Sequence, residues 1–318
     1  MIRRRRRLTL RVVAALITVA ASVLAAGSGA QSQPRCFGAA SRDPAVPCEN
    51  PDLRFRVIPT PTFAPILPNA PCTPIRSRFA PNVCWFAHSS SGAKSDWALL
   101  GDSHAAAWRG ALAVAARAEQ VHGMTVRRSS CTFTMATRAA PEPDQKACAR
   151  WVASAVRWFK RHPEVHTVFV ASSSYAGVVA AGGADQHTTA VKGERDAFNA
   201  LPASVQHIIV LRDSPRATTD TLPCVERALT HHQRGDLRCA LQRSTALRVD
   251  AGADAARLMA SPRVQVIDLT NFFCDATLCY PVVGGVLVFK DISHMTDTFS
   301  TTLGPYLLQQ YRRLQPSS

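Results

Sequence analysis

The sequence predicts an α/β protein: a three-layer α/β/α sandwich around a doubly wound, mostly parallel five-stranded sheet. Three observations predict it. Strand and helix patterns alternate from residue 96 onwards, the strand segments are nearly unbroken Val/Ile/Leu runs, and alanine is abundant while aromatics are few. Runs of that kind are buried on both faces, as in parallel sheets. At 318 residues the chain accommodates one large domain with extensions, because a single core stops growing at roughly 250–300 residues.

Residues 96–101 form the first strand, a short buried run entered from a turn at 89–95 that contains Gly92. An alanine-rich helix over 105–120 follows, then a second strand at 124–128. Residues 147–161 carry Trp151, Val152, Val156 and Trp158 at helical spacing, and 165–171 is a third, almost continuous apolar strand. A weaker helix at 191–201, a fourth strand at 206–212, a helix at 241–259, a fifth strand at 264–269 and a terminal helix at 297–314 complete the alternation. No internal repeat is present.

Two segments of different composition precede this domain, 95–318. Arg3 to Arg7 form a basic stretch, 12–26 is an apolar run rich in Ala and Val, and Ser28-Gly29-Ala30 supplies small residues, so 1–30 reads as an export signal cut near Ala30. An uncleaved anchor over 8–26 is the competing reading, near the lower limit of about 17 residues for a spanning helix. In 31–94, Pro59, Pro61, Pro65, Pro68, Pro71 and Pro74 stand too close together for a helix or a central strand. That segment is expected to be an irregular, disulfide-held arm packed on the main domain.

The formal charge of +15 falls to about +9 without the arginines of the export signal. The remaining positive residues are scattered, the densest pairs being Arg127-Arg128 and Arg312-Arg313, with no aromatic-interleaved stripe of the sort that holds single-stranded nucleic acid. An exported basic protein meets instead an anionic envelope surface or an acidic glycan. Ten cysteines fall into the neighbouring couples Cys36/Cys48, Cys72/Cys84, Cys131/Cys148, Cys224/Cys239 and Cys274/Cys279. An even number in an exported chain points to disulfides, with zinc as the alternative; no couple has the C-x-x-C spacing of a zinc knuckle. Connectivity stays open in the sequence, with neighbour pairing as the expectation. Neither a metal nor a cofactor is called for.

Two short strings carry chemistry. Gly101-Asp102-Ser103-His104 directly follows the apolar run that ends at Leu100. Ligands gather outside the carboxyl ends of the strands in such a sheet, and a serine at a strand-to-helix turn exposes its hydroxyl beside the free N–H groups of the incoming helix. Taken alone, the string has a plain alternative in which Asp102 or Ser103 merely caps the helix. The second string, Asp291-Ile292-Ser293-His294, changes that balance. A spacing of three puts both side chains on one face of a helical turn, where the carboxylate can fix the imidazole tautomer while the other ring nitrogen addresses Ser103. Asp102, Arg212 and Asp213 are substrate-binding candidates, the last two with a salt-bridged structural turn as the alternative. Trp108 and Tyr280 line either the cleft or the core, and His231-His232 reads as a solvated loop.

The GDSH string followed by a helix, together with Cys274-Asp-Ala-Thr-Leu-Cys279 leading to Asp291-Ile-Ser-His294-Met, resembles the SGNH hydrolase superfamily, also called the GDSL family. The likeness runs from about Cys36 onwards and is closest to the extracellular branch found fused to or beside integral-membrane O-acyltransferases of bacterial envelopes. The cysteine couples and the Arg212-Asp-Ser-Pro215 turn are similar to that branch as well. This resemblance implies Ser103 as nucleophile, His294 as base and Asp291 as its orienting acid. It also implies acyl transfer or ester hydrolysis at short O-acyl groups of envelope carbohydrate, with a glycan acceptor and a membrane acyltransferase as donor partner. Two departures stand out. The oxyanion Asn of a Gly-x-Asn-Asp string is missing after the third strand, which ends in Ala171-Ser-Ser-Ser-Tyr175, and no glycine follows the second strand, where Arg127-Arg-Ser-Ser-Cys131 stands. The backbone N–H groups of Ser103 and His104, with Ser130 and Ser173 as side-chain candidates, are left to hold an oxyanion. A non-catalytic glycan-binding protein that retains the fold is the alternative these departures motivate.

Overall fold

The computed structural model describes residues 33–75, 82–89 and 95–315. The export signal read at 1–30 and most of the turn at 89–95 lie outside them. One sheet of seven strands runs in the order β1-β2-β4-β3-β5-β6-β7, with β1 Thr73–Pro74, β2 Val83–Ala87, β3 Asp96–Gly101, β4 His122–Arg127, β5 Val165–Ala171, β6 His207–Leu211 and β7 Val264–Ile267. Strands β3 to β7 are parallel and are the five read from the sequence. The five-strand expectation is corrected at the edge: β2 pairs antiparallel with β4, and β1 with β2. Both added strands come from the segment expected to be irregular. Residues Val83-Cys84-Trp85-Phe86-Ala87 are strand formers, and Pro74 is tolerated because β1 is a two-residue edge strand.

Alternate residues of β3 feed the two faces. Trp97 and Leu99 enter one core with helices α1 (Ser103–Ala118) and α6 (Asp297–Leu314), whereas Ala98 and Leu100 enter the other with α2 (Glu142–Arg161), α3 (Gln186–Ala200) and α5 (Ala251–Met259). A third, smaller cluster joins Val57 and Ala64 of the arm to Val225 and Ala228 of α4 (Thr221–Thr230). The alanine face of α1 allows α6 to come close, and a Cβ on Gly304 would lie 2.5 Å from Val114. Among the described residues no helix is long and apolar enough to cross a membrane.

Three helix expectations need correction. α2 starts at Glu142, five residues early, because Pro141 and Pro143 suit a first turn that also holds Glu142 and Asp144 against the helix dipole. α3 starts at Gln186, where Asp185 accepts from the Thr188 N–H at 2.8 Å. The helix expected over 241–259 is broken: 241–242 pairs with 278–279 as a strand, 243–246 makes one helical turn, and α5 begins only after Asp250 caps it at the Ala253 N–H. Helix α4 has no counterpart among the predicted elements. All ten cysteines are bridged as the neighbouring couples, Cys36–Cys48, Cys72–Cys84, Cys131–Cys148, Cys224–Cys239 and Cys274–Cys279.

Candidate active site

Strand β3 ends at Gly101, whose φ of +149° and closeness to β5 exclude a side chain: a Cβ there would lie 1.9 Å from the Ala171 carbonyl oxygen. The chain then turns through Asp102 into α1, so Ser103 is the first helical residue. Asp102 is buried and joins two turns. Its Oδ1 accepts from the His104 N–H at 2.8 Å and its Oδ2 from the Ser173 N–H at 2.9 Å. This clamp fastens the turn after β3 to the turn after β5, at the point where the strand order reverses and ligands of open α/β sheets bind. Burial pushes the Asp102 carboxyl pKa up.

The segment before α6 brings the second string to the same place. His294 Nε2 lies 2.8 Å from Ser103 Oγ, and Nδ1 lies 2.8 Å from Asp291 Oδ2. The contact does not come from a helical turn, as the spacing of three led us to expect. Asp291 Oδ1 accepts from the N–H groups of Ser293 and His294, both at 2.8 Å, so a carboxylate-capped turn folds the histidine back over its own acid. Burial works against charge on Asp291, but the His294 hydrogen bond and these two amides outweigh it and hold the carboxyl down to about 2. With Nδ1–H donated to Asp291, Nε2 presents its lone pair to the serine hydroxyl. That arrangement can remove the Ser103 proton as the oxygen attacks an electrophile.

The other candidates divide. The His104 N–H is spent on Asp102, which withdraws it from oxyanion binding. Asp213 is buried, with its Oδ1 2.6 Å from His104 Nδ1, so it does not face a substrate. Arg212 braces its loop through Thr270 Oγ1 at 3.2 Å, the Arg248 carbonyl at 3.0 Å and Asp268. Ser173 is tied through Asp102 to the turn that carries Ser103, and its Oγ accepts from the Tyr175 N–H at 3.3 Å. Ser130 is exposed and has φ of +63°, so a serine takes a left-handed conformation in the stretch after the second strand where the resemblance leads one to look for glycine. Trp108 is core, and Tyr280 donates its hydroxyl to Asp275 while its ring lies under the Arg42 guanidinium.

Sequence reading missed the supports behind these residues. Ser174 donates both its N–H and O–H to Asp213 Oδ2, at 2.8 and 2.9 Å, and Asp250 accepts from the Asp213 N–H at 2.8 Å. Behind the Ser172–Ser174 turn is a cavity of about 30 Å³ lined in part by Glu194 and Asp250. Glu194 is buried there, and desolvation pushes its pKa well up. Only Asp250, placed just before an Ala-Gly helix start, left a readable signal, that of a cap.

Comparison with known proteins agrees with this geometry at the level of fold. The periplasmic domain of the Salmonella ser. Paratyphi A lipopolysaccharide acetyltransferase superposes with a TM-score of 0.53 at 14% identity, over 70% of this chain and 85% of that one. No curated protein sequence matches the chain. The sequence profile described as "SGNH domain (fused to AT3 domains)" matches residues 71–309, most of the chain and all of the parallel sheet. The chain therefore belongs to the family of SGNH domains found fused to AT3 domains.

Proposed function

We propose that this protein is an exported serine acyl-transfer enzyme that moves or removes a short, acetyl-like O-acyl group on cell-envelope carbohydrate. The contact of 2.8 Å between Ser103 Oγ and His294 Nε2, with Asp291 behind the same ring, carries this reading. Ser103 Oγ bonds to the acyl carbonyl carbon as His294 takes its proton. The tetrahedral intermediate collapses when His294 returns that proton to the departing oxygen, leaving the acyl group on Ser103. A sugar hydroxyl or water then reverses these steps. Two oxyanion donors are available: the Ser103 N–H, which has no partner among the described residues, and the Ser173 hydroxyl, which accepts from the Tyr175 N–H and donates to no acceptor among the described residues.

Transfer to a sugar is the favoured outcome, with an integral-membrane acyltransferase as donor partner. Membership of a family fused to AT3 domains supports it, as does the likeness to a domain of a lipopolysaccharide acetyltransferase. Five disulfides and the basic, then apolar, N-terminal sequence support export. A fluorophosphonate probe should label Ser103, and Ser103→Ala should lose label and at least about 10³-fold in 4-nitrophenyl acetate turnover at an unchanged thermal midpoint. No label and no turnover in the wild type would instead favour a non-catalytic glycan-binding protein, the reading that the missing oxyanion Asn motivates.

A further inference from the structure

A second histidine–carboxylate pair lies beneath the proposed base, and the acyl-transfer steps do not use it. His104 and His294 face each other with ring centroids 4.9 Å apart at 54°. Each is gripped at Nδ1 by a carboxylate, His294 by Asp291 at 2.8 Å and His104 by Asp213 at 2.6 Å. The inner pair is almost completely enclosed, with side-chain exposures of 5% for His104 and 2% for Asp213.

The hydrogen bonds fix the charge of that pair. Asp213 Oδ1 faces His104 Nδ1 and the Ser214 N–H, and Oδ2 receives the Ser174 N–H and O–H. Three donors, the Ser214 N–H and the Ser174 N–H and O–H, converge on these two oxygens, and His104 Nδ1 completes the set. A cationic partner offsets the cost of a carboxylate buried this deeply. Arg212 is not that partner, because its guanidinium goes to Thr270, Asp268 and backbone carbonyls. His104 is the cation in contact. The charged groups around it come from three elements: Asp213 after β6, Asp102 before α1, and Asp291 with His294 before α6. Burial opposes a charge on His104, but these carboxylates prevail and hold its pKa up to about 9.

The geometry points to His104 as a positioning residue: its imidazolium, clamped by Asp213, lies under the His294 ring, opposes proton uptake there and keeps the base free at lower pH. The inference rests on the proposed role of His294. The pair is neutral overall, but its cation is the half in contact with His294, so the net effect on the base is repulsive.

The test compares pH profiles of kcat/KM for 4-nitrophenyl acetate. His104→Gln leaves the Asp213 carboxylate uncompensated beneath His294, and the acid limb should move to higher pH by about one unit. His104→Gln/Asp213→Asn removes both charges and should bring the limb back by more than half. A purely structural role would lower rates or stability without moving the limb. Histidine ¹⁵N NMR of the wild type should show both ring nitrogens of His104 protonated at pH 7. A stationary limb in the single variant, no return in the double, or a neutral His104 in the wild type would each overturn the inference. Were the wild type to turn over no ester, the triad reading would fail, while the NMR measurement would still score the pair.

Discussion

Replacing Asp102 by Asn probes the clamp between the two turns with minimal change in shape. Asn retains one acceptor oxygen for the His104 N–H but presents an amide NH₂ to the Ser173 N–H, which Asp102 Oδ2 now holds at 2.9 Å. A buried amide left without an acceptor costs about 1–3 kcal/mol. Part of that returns, since burial already penalises the Asp102 charge and pushes its pKa up. The net expectation is a loss of about 1–2 kcal/mol. Asp102→Ala forfeits the helix cap as well, a further loss of about 1 kcal/mol. Catalysis should suffer more than stability: Asp102 makes the direct hydrogen bond between the Ser173 turn and the turn that carries Ser103, and displacing the proposed oxyanion donor costs about 10²–10³ in kcat when it is fully lost. We expect Asp102→Asn to lower kcat at least about tenfold with KM changed less than about threefold. Urea unfolding and ester turnover at pH 7 measure both. A stability loss under about 0.5 kcal/mol with kcat intact, or a larger loss for Asn than for Ala, would refute the clamp.

Gly101→Ala should destabilise by about 2–5 kcal/mol in urea unfolding, because a Cβ 1.9 Å from the Ala171 carbonyl forces β3 and β5 apart. The His104 pKa, raised from 6.5 to about 9, means that the pair stabilises the fold fully below pH 6.5 and loses that contribution as pH rises through about 9. Denaturant stability should therefore decline by up to about 3 kcal/mol over that window, and the decline should be absent from His104→Gln. Asp291, lowered from 3.8 to about 2, contributes stability above pH 3.8 that is lost as pH falls through about 2. Its side chain is 42% exposed, so the loss on acid titration should be only about 1 kcal/mol. Asp291→Asn should abolish this acid-range loss and reduce turnover about 10³-fold or more.

The five parallel strands and α6 were legible because each is specified locally: short, largely buried apolar runs for the strands, and the Thr296-Asp297 start with its amphipathic continuation for the helix. The rest depended on context. β2 was masked by the prolines around it, although Val83-Cys84-Trp85-Phe86-Ala87 by itself is a strand pattern that only needs β4 to pair with. The helix expected over 241–259 failed because apolar periodicity continues across Leu247-Arg248-Val249, while Asp250 starts a new helix there. At the site, Ser103, His294 and Asp291 could be named from type and spacing, but not the turn that joins the last two. His104, Asp213 and Ser174 meet only through tertiary structure, being 109 and 39 residues apart in sequence, and no local pattern encodes such a meeting.

Ser103 opens α1 and His294 stands just before α6, so a sequence separation of 191 positions between the two is bypassed by one helix–helix contact. That contact is short-ranged and specific: Gly304 against Val114, and the Ala111 N–H on Ser300 Oγ at 3.0 Å. The spacing of Ser103 Oγ and His294 Nε2 thus inherits the stiffness of two packed rods. The loops after β5 and β6 are tied to the start of α1 through Ser173, Ser174 and Asp213, whereas the loop after β4 holds none of these clamping residues and can diverge in length and composition. A lineage could change the molecule it accepts through that loop while the Ser103–His294 geometry stayed as it was.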